Sequence, residues 1–242
     1  MNLRSKVDAQ PAYVLHAYPF RETSLIVEVF SRDFGRIALL ARGARRPRSA
    51  IRGLLMAFQP LELGWAGKGE VLTLIKAEWQ GGQPLLAGPA LFCGYYLNEL
   101  LMHLLPREDG HEKLFARYSE ALSRLADDAG AGEREADLRR FEKALLQELG
   151  YGLTLNHDSS GREIIPAAHY SYRMEQGPVR LENAGGAAQV VSGKTLLDLA
   201  AEDFSDPRSR GEAKQLMRTL MAYYLGGKEL ETRRIFKELQ EP

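Results

Sequence analysis

Between Asp33 and Glu62 the chain carries no acidic residue, and six arginines stand in that gap: Arg36, Arg42, Arg45, Arg46, Arg48 and Arg52. The stretch reads GRIALLARGARRPRSAIRG. Like charges held that close repel, and the simplest compensation is a polyanion. The guanidinium fork matches phosphate geometry, so nucleic-acid binding is the first chemistry to weigh. Lys68 and Lys76 extend the candidate patch. The aromatics nearby are Tyr13, Tyr18, Phe20, Phe30, Phe34, Phe58 and Trp65. Most suit a core. Phe34, at a turn, and Trp65, beside glycines, are the rings expected to be exposed and able to stack on bases.

Other chemistry is poorly represented. There is no Walker-type phosphate loop, no GxSxG, no HExxH and no HxE paired with CxxC. Gly226-Gly227-Lys228 lacks the upstream glycine of a phosphate loop and reads as a helix stop. His157-Asp158-Ser159 is contiguous, whereas triad members are normally distant in sequence and meet in space. The sequence therefore points away from an enzyme and implies no cofactor. One cysteine, Cys93, excludes an intrachain disulfide and a thiolate metal cage, and is expected to be a buried, inert thiol.

The formal net charge of the 242 residues is zero, but its distribution is uneven. Residues 1–80 hold 12 Lys/Arg against 7 Asp/Glu, and residues 81–242 hold 20 against 25. A basic working module joined to a more acidic body is expected. With 45% hydrophobic residues the chain can bury real cores. The first residues, MNLRSKVDAQPAY, lack a signal-peptide core, and no run approaches the ~20 apolar residues that span a bilayer. The expectation is a soluble, cytoplasmic protein.

The elements that must position these residues follow from periodicity. Residues 12–20, 24–31, 35–43, 58–67 and 69–79 read as five strands, with Leu25, Val27 and Val29 on one side of the second. Arg36 and Arg42 share strand parity. Residues 44–57 read as an irregular, flexible basic loop from which Arg45, Arg46 and Arg48 can track a phosphate backbone. Five short strands suggest a small closed barrel of the OB type, with an SH3-like barrel as the alternative. After Gly81-Gly82-Gln83-Pro84 the pattern turns helical. Residues 90–105 predict a central helix, apolar nearly all round but for Asn98 and Glu99. Leu114–Leu125 and Leu138–Leu149 predict two more helices, the latter stopped by Gly150. Residues 151–191 are irregular, with strand-like pieces at HYSYRM and AAQVV. Ser192 caps a helix through 195–202, Pro207 opens one through Tyr224, and 232–239 gives the last. The fold class is α+β. The expected domains are a barrel over 1–82, a helical domain over 83–150, the irregular 151–191, and C-terminal helices over 192–242 packing on the helical domain.

The ordered set ETSLIVEVFSRDFGRIALLARGARRPRS, GEVLTLIKAE, YLNELL, LRRFEKALLQELGYG and YLGGKELETRRIF resembles the bacterial RecO family of recombination mediators over nearly the whole chain. The resemblance implies an N-terminal OB domain and a helical middle. It implies binding of single- and double-stranded DNA, annealing of complementary strands, and help in loading a recombinase during gap and break repair. The implied partners are a RecR-type ring protein and single-stranded DNA-binding protein. Arg139, Arg140 and Lys143, on one helix beside Leu138, Phe141 and Leu145, are then candidates to grip that protein's acidic tail. Many family members carry a four-cysteine zinc site after LGYG. Here that region has no cysteine, and His157, Asp158 and His169 make no tetrahedral set, so no zinc is expected. Two other readings stay open: an RNA-binding OB protein of translation or ribosome assembly, and an interaction protein whose arginines bind an acidic partner.

Overall fold

A computed structural model describes residues 6–127, 130–182 and 190–238, without the side chains of 236 and 237. Packing divides the chain into two units, residues 1–128 with 230–242, and residues 129–229.

The first unit opens with β1 (Val7–Phe20), β2 (Ser24–Ser31) and β3 (Gly35–Ala41). A short helix α1 (Ala50–Leu54) precedes β4 (Leu61–Ala66) and β5 (Val71–Trp79). The strands close into a barrel in the order β1-β2-β3-β5-β4, with only β3 and β5 parallel. This is the expected OB-type barrel. β2 and β3 pair without a register shift from Leu25–Ala41 to Ser31–Gly35, so their side chains alternate strictly. Val27, Val29, Ile37, Leu39 and Ala41 therefore face the interior with Val14, Leu61, Leu63 and Leu74, and Leu25 packs against them. The β2–β3 turn needs glycine: at Gly35 φ is +64°, and a Cβ would sit 1.8 Å from the Asp109 carbonyl oxygen.

Helices α2 (Gly88–Leu104) and α3 (Glu112–Ala126) belong to this unit. Composition shifts at 81–84, but packing carries across it. Tyr13 of β1 and Phe30 of β2 meet Phe115 and Tyr118 of α3 at ring-centroid distances of 5.2–6.0 Å. Asn98 is buried at the centre. Its Nδ2 donates to the Leu15 carbonyl at 2.8 Å, and its Oδ1 accepts from the Tyr118 hydroxyl. One amide thus ties strand to both helices, which is why a polar residue interrupts an apolar segment. α2 is not buried all round, however: Tyr95 is exposed and Cys93 is half-buried rather than buried.

The second unit contains α4 (Ala131–Glu148), β6 (His169–Arg173), β7 (Gly177–Arg180), β8 (Val191–Ser192), α5 (Gly193–Ala201) and α6 (Pro207–Tyr224). The short strands form a sheet ordered β7-β6-β8. Residues 187–189 of the expected AAQVV strand lie outside the described residues. Both expected glycine stops form Schellman ends. Gly150 N–H donates to Gln147 and Tyr151 N–H to Leu146. Gly226 N–H donates to Tyr223 and Gly227 N–H to Ala222. Ser192 Oγ accepts from Thr195 N–H at the start of α5. Asp206 accepts from Arg208 N–H at the start of α6, where Pro207 is the first helical residue. The region with no cysteines is organised by Asp158, whose carboxylate accepts from Ser160 Oγ, Ser160 N–H and Arg162 N–H.

The chain then returns to the first unit with α7 (Glu231–Glu238). Glu99 of α2 caps it, accepting from Glu231 N–H at 2.7 Å, Thr232 N–H at 3.0 Å and Thr232 Oγ1 at 2.6 Å. A carboxylate there also meets the positive end of the helix dipole. Arg233 lies over the Tyr96 ring, 5.5 Å from its centroid. No described helix is long and apolar enough to cross a membrane.

Asn98→Leu leaves the Leu15 carbonyl and the Tyr118 hydroxyl without their amide partner, and is expected to cost about 3 kcal/mol of stability in urea denaturation. The Ser160 hydroxyl, then the Arg162 N–H, hold the Asp158 carboxylate below its ordinary value of 3.8. Because the folded value is depressed, this stabilisation is complete above about pH 5 and is lost as pH falls through the folded value. The amide NMR shifts of Ser160 and Arg162 are expected to titrate with a midpoint below 3.8, and Asp158→Asn to abolish that titration; a midpoint at or above 3.8 contradicts it.

Candidate nucleic-acid interface

The arginine loop leaves the barrel at the Ala41 end of β3. It is anchored to the barrel at several points. Ala44 is fully buried in the barrel core, and Ile51 and Leu55 pack on the same core. Arg45 N–H donates to Thr23 O at 2.8 Å, and its Nη1 donates to Arg21 O at 3.1 Å. Further backbone bonds run from Arg46 to Gly43, Ser49 to Arg46 and Arg52 to Ser49. Small and apolar residues set among the arginines therefore anchor the loop and turn the charges outward. Arg42, Arg45, Arg46, Arg48 and Arg52 are all exposed. Among the described residues, no carboxylate lies within salt-bridge distance of any of the five.

The sixth arginine is different. Arg36 is half-buried, its Nη1 3.8 Å from Glu28 Oε2 and its Nε donating to the Leu105 carbonyl at 3.1 Å. Arg107, beyond the end of α2, also pairs with Glu28. Burial lowers the Arg36 pKa from its ordinary value, and Glu28 opposes that. β3 ends at Ala41, so Arg42 lies in the turn beyond the strand, while Arg36 is part of an internal ion cluster. Two guanidiniums share one carboxylate there, leaving one positive charge over. Nothing near Arg36 in sequence announces Arg107.

Three further expectations need correction. Trp65 is 1% exposed and lies in the barrel core. Its neighbouring glycine marks close backbone approach, not exposure: a Cβ on Gly64 would stand 3.2 Å from Val7 O. Phe34 is exposed at the β2–β3 turn, edge-on to Trp65 at 5.4 Å. Lys76 stands between Glu78 at 2.9 Å and Glu62 at 3.7 Å, which compensate its charge. Lys68 is exposed, but it does not join the arginine loop. Because β5 runs parallel to β3 with Val71 opposite Ala38, Lys68 lies toward the Gly35 end of β3, as Phe34 does. The basic loop leaves from the other end. Its neighbour there is the β1–β2 turn, whose Arg21 is exposed and lies over the Phe20 ring at 5.3 Å. Arg21 precedes Asp33 and so lies outside the acid-free stretch that marks the cluster in the sequence.

In the second unit, Arg139, Arg140 and Lys143 do not form an open rim. Arg139 and Lys143 are buried. Arg139 pairs with Glu142 at 2.5 Å, and Lys143 donates to Ala200 O at 2.7 Å and to Glu202 at 3.3 Å. Half-buried Arg140 pairs with Asp137 and lies 5.2 Å from the centroid of the Phe204 ring. The C-terminal end of α5 covers this side of α4, and a lysine there satisfies a terminal helix carbonyl. Among the described residues no group of three or more His, Cys, Asp or Glu could hold a metal ion. Asp158 spends its carboxylate on its own loop, so this region does not fit a zinc site.

Comparison with known proteins gives matches over nearly the whole chain. A family model for the N-terminal part of recombination protein O matches residues 7–82, and one for its C-terminal part matches residues 86–234. The chain is 80% identical over 241 residues to the DNA repair protein RecO of Dechloromonas aromatica (strain RCB), covering 100% of each. It is 55% identical over 242 residues to that of Aromatoleum aromaticum (strain DSM 19018 / LMG 30748 / EbN1), and 56% identical over 246 residues to that of Azoarcus sp. (strain BH72), again over 100% of each chain.

Trp65→Ala is expected to remove roughly 3–5 kcal/mol of stability in urea denaturation, as a cavity in the barrel core. Phe34→Ala should cost only about 1 kcal/mol, the edge contact it loses.

Proposed function

This chain belongs to the RecO family of recombination proteins, and on that premise we propose that its barrel binds DNA through the loop 42–52. The observation that carries the reading is the set of five exposed arginines with no carboxylate in reach among the described residues. Each guanidinium set against a phosphate releases condensed counterions, and that release drives binding. Contacts to phosphate carry no base information, so the surface accepts any sequence. Two strands held on one basic surface repel each other less, and the effective concentration of complementary bases rises. Annealing then needs no nucleotide hydrolysis and no catalytic residue.

The relatives are named as DNA repair proteins, and this chain is assigned the same general role in recombination repair. The finer reading is a non-catalytic mediator that anneals complementary strands and helps load a recombinase on protein-coated single strands at gaps and breaks. It works in the cytoplasm on the nucleoid. Its partners are a RecR-type ring protein and the acidic tail of single-stranded DNA-binding protein. With Arg139 and Lys143 buried in ion pairs, that tail requires other cations or the half-buried Arg140.

Annealing of complementary oligonucleotides across a salt series tests this. Five phosphate contacts give a slope of about −3.5 in log affinity against log salt for single strands. The Arg45/Arg46/Arg48→Ala variant should lose about 2 of that slope by the same rule, and anneal more slowly. An unchanged slope and rate remove the assignment. A matched RNA strand bound tightly while DNA is not would redirect it to RNA.

A further inference from the structure

The outer face of the barrel beside the arginine loop carries an apolar row that is only partly buried among the described residues. The register sets Tyr18 of β1 opposite Ile26 of β2, and Ile26 opposite Leu40 of β3. All three point away from the core, because Ala17, Val27, Leu39 and Ala41 point into it. Tyr18 is 43% exposed, while Ile26 and Leu40 are half-buried. His16 packs against Tyr18 from the next position on that face, ring centroids 4.4 Å apart and planes tilted by 51°. Across three strands the row is about 10 Å wide, the breadth of a nucleobase and its sugar.

Positive charge flanks the row on both sides. Just past the end of β3, exposed Arg42 opens the loop that Arg45 pins to the β1–β2 turn. On the other side lies exposed Arg107, which shares the single carboxylate of Glu28 with half-buried Arg36. An apolar strip between two basic margins is the arrangement that a strand with unstacked bases complements: phosphates on the guanidiniums, base faces on the ring. A duplex keeps its bases stacked inside and can use only the margins.

Resting on the DNA-binding reading above, we propose that Tyr18, seated on Ile26 and Leu40, is a stacking platform for unpaired bases and gives the barrel a preference for single strands over duplex. Neither Phe34 nor Trp65 can serve: one lies toward the opposite end of β3 and the other is in the core.

Fluorescence anisotropy with three ligands of equal length tests it: a single strand, the same strand with abasic sites, and a duplex. Wild type should bind the base-bearing strand roughly 5- to 100-fold more tightly than the abasic one. Tyr18→Ala should lose that preference, with duplex affinity and salt slope unchanged, and Tyr18→Trp should retain it. Equal wild-type affinity for base-bearing and abasic strands overturns the proposal, as does an equal loss on single strand and duplex in Tyr18→Ala. Failure of wild type to bind any of the three ligands overturns the DNA-binding reading itself; binding that depends on Arg45, Arg46 and Arg48 but not on Tyr18 overturns only the platform.

Discussion

Five guanidiniums on one short loop repel one another, and the barrel core is what keeps them together. Ala44, Ile51 and Leu55 reach from the loop into apolar surroundings, and Arg45 spends its backbone N–H and one guanidinium nitrogen on the β1–β2 turn. Burial offsets the repulsion in the unbound protein. The loop backbone is then already placed when a polyanion arrives, so less backbone entropy remains to be lost on binding. A loop without these anchors could spread its arginines and lower the repulsion, at the expense of a defined surface.

The internal arginines answer a different requirement. Glu28 is 4% exposed, and a carboxylate that deep is costly unless cations stand beside it. Arg36 and Arg107 supply them, and Arg36 also closes onto the Leu105 carbonyl at the end of α2. The cluster joins the outer surface of the barrel to the helices, as Asn98 does deeper in the same unit. One residue type therefore serves two purposes within a few positions of β3: pairing inward at Arg36, and facing water at Arg42.

The sequence made visible whatever depended on local pattern. Strict alternation in SLIVEVFS marks β2 to its ends, and Pro207 and the glycines after Tyr224 bound α6 because both act through their own backbone. The arginine loop was legible because its signal is a lack of nearby acid. What stayed hidden depends on residues far along the chain. Arg36 looks like its neighbours until Arg107 is brought to Glu28. Lys143 reads as a solvated charge until α5 ends beside it. Trp65 reads as exposed because a glycine next to a ring signals a turn as readily as it signals a crowded backbone.

Glu99 has a consequence for how this molecule is made. Its hydrogen-bonding partners in α7 lie 132 and 133 positions further along. The first unit therefore takes residues from both sides of the second along the chain, with the whole second unit synthesised in between. Until α7 is made the carboxylate of Glu99 lacks these three donors, so the barrel unit reaches its final form only after translation has passed through its companion.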